Sequence, residues 1–223
     1  MSNSHYISEL AIIILAFNEE KNLKAVINKA KKYGIVIVVN DGSIDQTKNI
    51  AQDNANFIIN NLQNFGYDVS IKKGFEFAIS KNFKYLITID GDNQHPIEKI
   101  PFFVKLLKQG KSIVVGNRDL KPRYLEKIFS FLSFNLWGIK DPMCGMKAFR
   151  IEHVKSITTL YSYNSIGTEI MFQVLKNFSS YENIDIKISN RKGKSKFGYS
   201  IKLNILIIKN IIKSLQFKYS RRI

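Results

Sequence analysis

Cysteine is almost missing: Cys144 is the only one in 223 residues, so no disulfide can form within the chain and the sequence suits a reducing compartment. With only three scattered histidines beside it, a Cys/His zinc site is excluded as well. The longest uninterrupted apolar run, Leu10 to Phe17, is eight residues, far short of the roughly 20 that cross a bilayer. Glu9 precedes that run and no basic segment does, so it does not read as a secretory signal. The common phosphate cradles are absent too. There is no G-x-G-x-x-G, and Gly193-Lys194-Ser195 lacks the upstream glycine of a P-loop, which disfavours dehydrogenases and ATPases.

What is present is an ordinary globular composition, 45% hydrophobic and 23% charged, with enough Ile, Val and aromatic residues to exclude disorder. The net charge of +16 is unevenly placed: residues 1–110 carry +2 and residues 111–223 carry +14. After Asp185 there are eleven Lys or Arg and no carboxylate. Heavy use of lysine throughout accounts for part of the charge. The carboxylate-free tail points further, to a polyanionic partner: nucleic acid, anionic lipid or a phosphorylated substrate.

The first half alternates. Leu10–Ala16 reads as a buried strand, and Leu23, Val26, Ile27 and Ala30 follow at helical spacing up to Tyr33-Gly34. Strands are expected at Ile35–Val39, Phe57–Ile59, Tyr85–Ile89 and Ile113–Val115. Helices are expected up to about residue 54, around 67–81, and after Pro96 with Ile97, Ile100, Val104 and Leu107 inward. This rhythm predicts a mostly parallel sheet flanked by helices. In the second half, 124–139 is apolar and aromatic, 166–178 is helical, Ile184–Ile188 alternates like a strand, and 200–218 is a final amphipathic helix. The chain reads as one domain over 1–199 with a C-terminal helix in 200–223.

In an open parallel sheet, ligands sit beyond the carboxyl ends of the strands. Three polar clusters fall there: Phe17-Asn18-Glu19, Asn40-Asp41-Gly42-Ser43 and Asp90-Gly91-Asp92-Asn93-Gln94. Asp90 and Asp92, with Gln94 as a third oxygen donor, suit a hard divalent cation, Mg²⁺ or Mn²⁺, that completes its shell with water and substrate phosphates. His95 reads as a helix-entry residue rather than a ligand. Arg118, Arg191, Ser195 and Lys196 are the candidates for holding phosphate.

These residues resemble the glycosyltransferase family 2 enzymes of type A fold, and among them the polyprenyl-phosphate (dolichyl-phosphate) mannosyl- and glucosyltransferases. The resemblance rests on Ala16-Phe17-Asn18-Glu19-Glu20, on Asn40-Asp41-Gly42-Ser43 with Asp45 and Thr47, and on Asn64-x-Gly66 with Gly74. It continues through Asp90-Gly91-Asp92-Asn93-Gln94-His95-Pro96, Gly116-Asn117-Arg118, the stretch Asp141 to Phe149, and Arg191, Gly193, Ser195 and Lys196. It implies that Phe17, Asn18, Glu19, Asp41 and Ser43 bind the nucleotide and that Asp90, Asp92 and Gln94 bind Mg²⁺ or Mn²⁺. Arg118, Arg191, Ser195 and Lys196 would line the phosphates, and Asp141 to Phe149 would shape the sugar pocket. The implied reaction is inverting transfer of a hexose from a nucleotide-diphospho-sugar to a polyprenyl phosphate, with Asp92, Arg118, Asp141 and Glu169 as catalytic residues.

A phosphate acceptor is already ionised at neutral pH, whereas a saccharide hydroxyl would need a base, from Asp141 or Glu169. That hydroxyl transfer, in cell-surface polysaccharide synthesis, is the alternative within the class, and a basic nucleic-acid-binding module is the alternative outside it. The family reading implies no nucleic-acid partner. The chain departs from the family pattern at Leu15, where proline is usual, at Asn40 for aspartate, at Asp68 for glycine and at Glu126 for arginine. The last leaves Arg123 or Lys127 as substitutes. With no membrane-helix pair after Lys196, the expectation is a short form, peripheral on the cytoplasmic face of a membrane. The helix at 200–218, with Lys202, Lys209, Lys213, Lys218 and the following Arg221-Arg222, would meet anionic lipid.

Overall fold

The structure is a computed structural model that describes residues 7–120, 123–157, 166–189 and 201–219. A seven-stranded sheet is built from β1 (Ile7–Ala16), β2 (Gly34–Asn40), β3 (Phe57–Asn60), β4 (Tyr85–Asp90), β5 (Ile113–Arg118), β6 (Lys147–Arg150) and β7 (Tyr181–Ile186), in the order β3-β2-β1-β4-β6-β5-β7. The helices are α1 (Leu23–Ala30), α2 (Thr47–Asn54), α3 (Tyr67–Ser80), α4 (Ile100–Lys108), α5 (Tyr124–Trp137), α6 (Ile151–Lys155), α7 (Ile166–Phe178) and α8 (Ile201–Tyr219). A 3₁₀ turn, Ile97–Lys99, leads into α4.

The β-α alternation read from the sequence is present, and six of the seven strands run parallel. The exception is β6, antiparallel to both β4 and β5. Neither β6 nor the short α6 was expected. Four residues beginning with a lysine carry too little apolar pattern to announce a strand. The last strand also starts three residues earlier and ends two earlier than its alternation suggests, because pairing of Tyr181–Ile186 with Ile113–Arg118 sets its register.

Apolar side chains cover both faces of the sheet. On one face, Ile13, Val39 and Val115 meet α3, α5 and α7; on the other, Ile12, Ile14 and Val38 meet α1 and α4. Leu10 to Ile14 of β1 are wholly buried, and the Leu and Ile side chains among them contribute about 1.5–3 kcal/mol each. Gly74 lets α3 approach closely: a Cβ there would lie 2.7 Å from Ile13 Cγ2 and 3.3 Å from Val39 Cγ2.

The final helix lies against α5 and α7. Its inward face is Ile207, Asn210 and Ser214, all buried, and it meets a face of α5 that buries Ser130 and Ser133. Outward it presents Ile205, Ile208 and Ile212, each about half exposed (47%, 46% and 50%). On α5, Tyr124, Phe131 and Phe134 are outward in the same way. The inward contact thus mixes small polar residues with Ile207, while a ridge of large apolar side chains faces away.

Candidate active site

The strands β1, β2, β4, β5 and β7 all end at one edge, and β6 starts there. The sheet thus gathers the loops after residues 16, 40, 90 and 118 with the loop 141–146 that enters β6.

The loops after β1 and β2 are stitched together. Asn18, in a left-handed backbone conformation (φ 52°), donates its N–H to Ser43 Oγ (2.9 Å) and accepts from the Ile44 N–H at Oδ1 (2.9 Å). The Glu19 N–H donates to Thr47 Oγ1 (2.7 Å). The Glu20 N–H donates to Asp45 Oδ2, while Glu20 Oε2 accepts from the Gln46 N–H (both 3.2 Å). Ser43 Oγ in turn donates to Asn40 Oδ1 (2.5 Å). Phe17 is half-buried beside this seam, and Glu19 is buried with Oε2 accepting from Asn22 Nδ2. The expected nucleotide residues therefore form one rigid cradle.

Asp41 does more than line it. Its Oδ1 accepts from Asn61 Nδ2 (2.8 Å) and the Phe65 N–H (3.0 Å), and its Oδ2 from the Gly66 N–H (2.9 Å). A buried carboxylate just after β2 thereby fixes the loop that starts α3, a role its place in the motif did not announce.

At the end of β4, Asp92 is buried and its Oδ1 accepts from the Gln94 N–H (3.1 Å) across Asn93, another left-handed residue (φ 63°). Gln94 is tied to the segment after β7 twice: Nε2 donates to the Ser189 carbonyl (3.1 Å), and the Ser189 N–H donates to the Gln94 carbonyl (3.0 Å). Ser189 stands just before the basic loop. Arg191, Ser195 and Lys196 themselves lie outside the described residues. Asp90 is partly exposed, and its N–H donates to Nδ1 of the buried His95 (3.2 Å). Burial pushes the His95 imidazole well below its ordinary range, so the ring is neutral with its proton on Nε2.

These donors fit a hard cation in kind. Among the described residues no group of three or more His, Cys, Asp or Glu is placed to hold a metal. An ion here would have two carboxylates, the Gln94 amide and oxygens from water or substrate, which is the pattern of Mg²⁺-type sites.

Arg118, at the end of β5, is committed to carboxylates. Its Nε and N–H donate to Asp141 Oδ2 (2.7 and 3.2 Å), and its Nη2 donates to Asp141 Oδ1 (3.0 Å) and Glu126 Oε2 (3.2 Å). Arg123 Nη1 meets the other oxygen of Glu126 (2.5 Å). Asp141 and Glu126 are both buried. Burial works to lower the Arg118 guanidinium, but hydrogen bonding and charge pairing with Asp141 outweigh it and hold the group above its ordinary value. Glu169 is buried in the first turn of α7, with Oε1 accepting from Gln173 Nε2 (3.2 Å). Its neighbour Thr168 donates to the Pro142 carbonyl (3.3 Å), which sets this helix end beside the 141–146 loop.

The stretch expected to shape a sugar pocket mostly packs inward. Cys144, Met146 and Ala148 are wholly buried, and burial pushes the Cys144 thiol up to about 12. Lys147 is buried too, its Nζ donating to the Cys144 carbonyl (2.5 Å). Tyr67, the first residue of α3, is an addition that sequence reading missed. Burial and then the Asp90 charge hold its phenol well above the ordinary value, which puts the ring in the field of the carboxylate edge. An aromatic at a helix start carries no such signal in sequence. Two surface hollows, one between α4 and β7 and one where α5, α7 and α8 end, include none of the motif residues. The three polar clusters lie instead at the strand edge, which makes that edge the candidate site.

The family description "Glycosyl transferase family 2" matches residues 11–157. An uncharacterized protein of Methanocaldococcus jannaschii is 34% identical over 167 residues, 65% of this chain and 73% of that protein. A dolichol-phosphate mannosyltransferase of Pyrococcus furiosus is 27% identical over 190 residues, 75% of this chain but 52% of the relative. In three dimensions the chain is similar to glucosyl-3-phosphoglycerate synthase of Mycobacterium tuberculosis, with a TM-score of 0.72 over 94% of this chain and 79% of that one; at 16% identity the likeness is one of fold. The strand-edge motifs, the type A fold and these matches together show that the chain belongs to glycosyl transferase family 2 and is a glycosyltransferase.

Proposed function

We propose that the protein transfers a hexose, with inversion, from a nucleotide-diphospho-sugar to a polyprenyl phosphate at a membrane surface, with Mg²⁺ or Mn²⁺ bound by Asp90, Asp92 and Gln94. The carrying observation is the meeting of the acidic Asp90/Asp92 pair and the basic Arg118 at one sheet edge beside the Asn18–Ser43 cradle. The cation, when bound, neutralises charge that develops on the leaving diphosphate. The cradle would hold the nucleoside, and Arg118 with Arg191, Ser195 and Lys196 would hold phosphate oxygens. The Pyrococcus furiosus relative is named for dolichol phosphate, and the Mycobacterium tuberculosis synthase is described with Mn²⁺ and UDP, which supports the acceptor class and the cation.

Asp141 supports an acceptor that needs no base. Both its oxygens are taken by Arg118 and it is wholly buried, so it is poorly placed to remove a proton. One observation favours the second reading. Glu126 sets a buried carboxylate between Arg118 and Arg123 and cancels charge that a phosphate acceptor would use; a saccharide hydroxyl with Glu169 as base would not need that charge. Incubating the protein with a panel of UDP- and GDP-sugars, and with undecaprenyl phosphate or a saccharide acceptor, separates the two. The proposal expects a glycosylated lipid phosphate by mass spectrometry, and a saccharide product alone overturns it.

No described helix is long and apolar enough to cross a membrane. The outward Ile205, Ile208 and Ile212 of α8, with Phe131 and Phe134 of α5 and exposed Lys127, Lys209 and Lys218, support docking on an anionic bilayer.

A further inference from the structure

The geometry points to His95 and Gly145 as the pair that fixes the Asp90 carboxylate, a positioning role that rests on the proposal that Asp90 binds a divalent cation. The two come from separate segments, and neither is itself a ligand. His95 Nδ1 is occupied by the Asp90 N–H (3.2 Å), which turns the Nε2 edge of the ring toward the carboxylate, 3.9 Å from Oδ2. The ring therefore lies along the Asp90 side chain, held by the main chain of the same residue.

Gly145 closes the other side. A Cβ at Gly145 would lie 2.7 Å from Asp90 Oδ2, 2.9 Å from Oδ1 and 3.0 Å from His95 Cε1. Carboxylate and ring both rest against one bare α-carbon, so any side chain there must move one or the other. The α-carbon is itself anchored: Thr88, two residues before Asp90 on β4, donates Oγ1 to the Gly145 carbonyl (2.6 Å). The strand that carries the carboxylate thus also carries the peg that locates its wall. Partly exposed carboxylates otherwise sample several rotamers, and freezing one on cation binding weakens affinity. Groups that orient a ligand in this way govern metal affinity without touching the metal.

The test is direct Mn²⁺ titration of the full chain, with free Mn²⁺ read by electron paramagnetic resonance and no substrate present. His95→Gln removes the acceptor at the Nδ1 position, whereas His95→Asn keeps one there. His95→Gln and Gly145→Ala should weaken Mn²⁺ binding about 10- to 100-fold, and His95→Asn less than about threefold, with unchanged far-UV circular dichroism. Should Gly145→Ala fail to fold, the two histidine variants decide alone. Equal weakening by Asn and Gln, or parental affinity in His95→Gln while Asp90→Asn loses Mn²⁺, overturns the positioning role. Parental affinity in Asp90→Asn overturns the cation reading beneath it.

Discussion

Arg118 grips Asp141 at both carboxylate oxygens, through Nε at 2.7 Å and Nη2 at 3.0 Å, with the Arg118 main-chain N–H adding a third hydrogen bond. The pair joins the end of β5 to the loop entering β6, the antiparallel strand beside it. Its partner Glu126 then ties the same guanidinium to α5. One arginine thus fastens three segments around the candidate acceptor region.

Removing the Asp141 carboxylate takes the main partner from a guanidinium whose side chain is only 18% exposed and leaves it Glu126 alone. Asp141→Ala should cost about 3–5 kcal/mol in urea unfolding, the usual penalty for breaking a buried pair from one side. Transfer activity should fall with it, because Arg118 loses its aim. A loss of activity with parental stability would instead indicate that Asp141 meets substrate.

Asp92 tests the cation. Asp92→Asn keeps an acceptor for the Gln94 N–H, so folding should be nearly unaffected. Turnover should drop at least about a hundredfold, roughly 2.7 kcal/mol of barrier, and EDTA should abolish parental activity. Full turnover in the variant or in EDTA rejects the metal assignment.

Much of this was legible in the sequence because it lies in local pattern. The apolar run Leu10–Ala16 is a strand with both faces covered, and the polar clusters at 17–19, 40–43 and 90–94 sit where parallel strands end. What was hidden depends on pairing across the fold. β6 is recognisable only beside β4 and β5, and its buried Lys147 breaks the expected apolar pattern. The register of β7 follows β5 rather than its own Ile184–Ile188 alternation. Asp41 as a loop clamp and His95 as a neighbour of Asp90 are relations between side chain and main chain that motif spacing does not encode.

Ser189, two positions before Arg191 in the sequence, is hydrogen-bonded to Gln94, and the family motif assigns the phosphates to Arg191 and Lys196. Arg191→Ala and Lys196→Ala should each lower turnover at least about tenfold, near 1.4 kcal/mol, whereas Lys192→Ala and Lys194→Ala should be mild. Equal losses at all four positions would mean a diffuse electrostatic role.

The last prediction concerns the bilayer. Deleting α8 is a poor test, because Ile207, Asn210 and Ser214 are buried against the protein and their loss would destabilise it. The outward ridge offers a cleaner one. Ile205, Ile208 and Ile212 stand about half exposed, so Ile208→Asp should cost no more than about 1.5 kcal/mol of unfolding free energy and leave the protein folded. On an anionic vesicle the same change removes an apolar contact and adds a repelled charge. Co-sedimentation with phosphatidylglycerol vesicles should weaken about tenfold, near 1.4 kcal/mol, and fall further when Phe131→Asp is added on α5. Raising salt should weaken the parent as well, since exposed lysines such as Lys127 and Lys209 contribute about 1 kcal/mol each at a charged surface. Parental vesicle binding by the double variant would place the contact elsewhere. The ridge would then be an apolar face that serves another purpose.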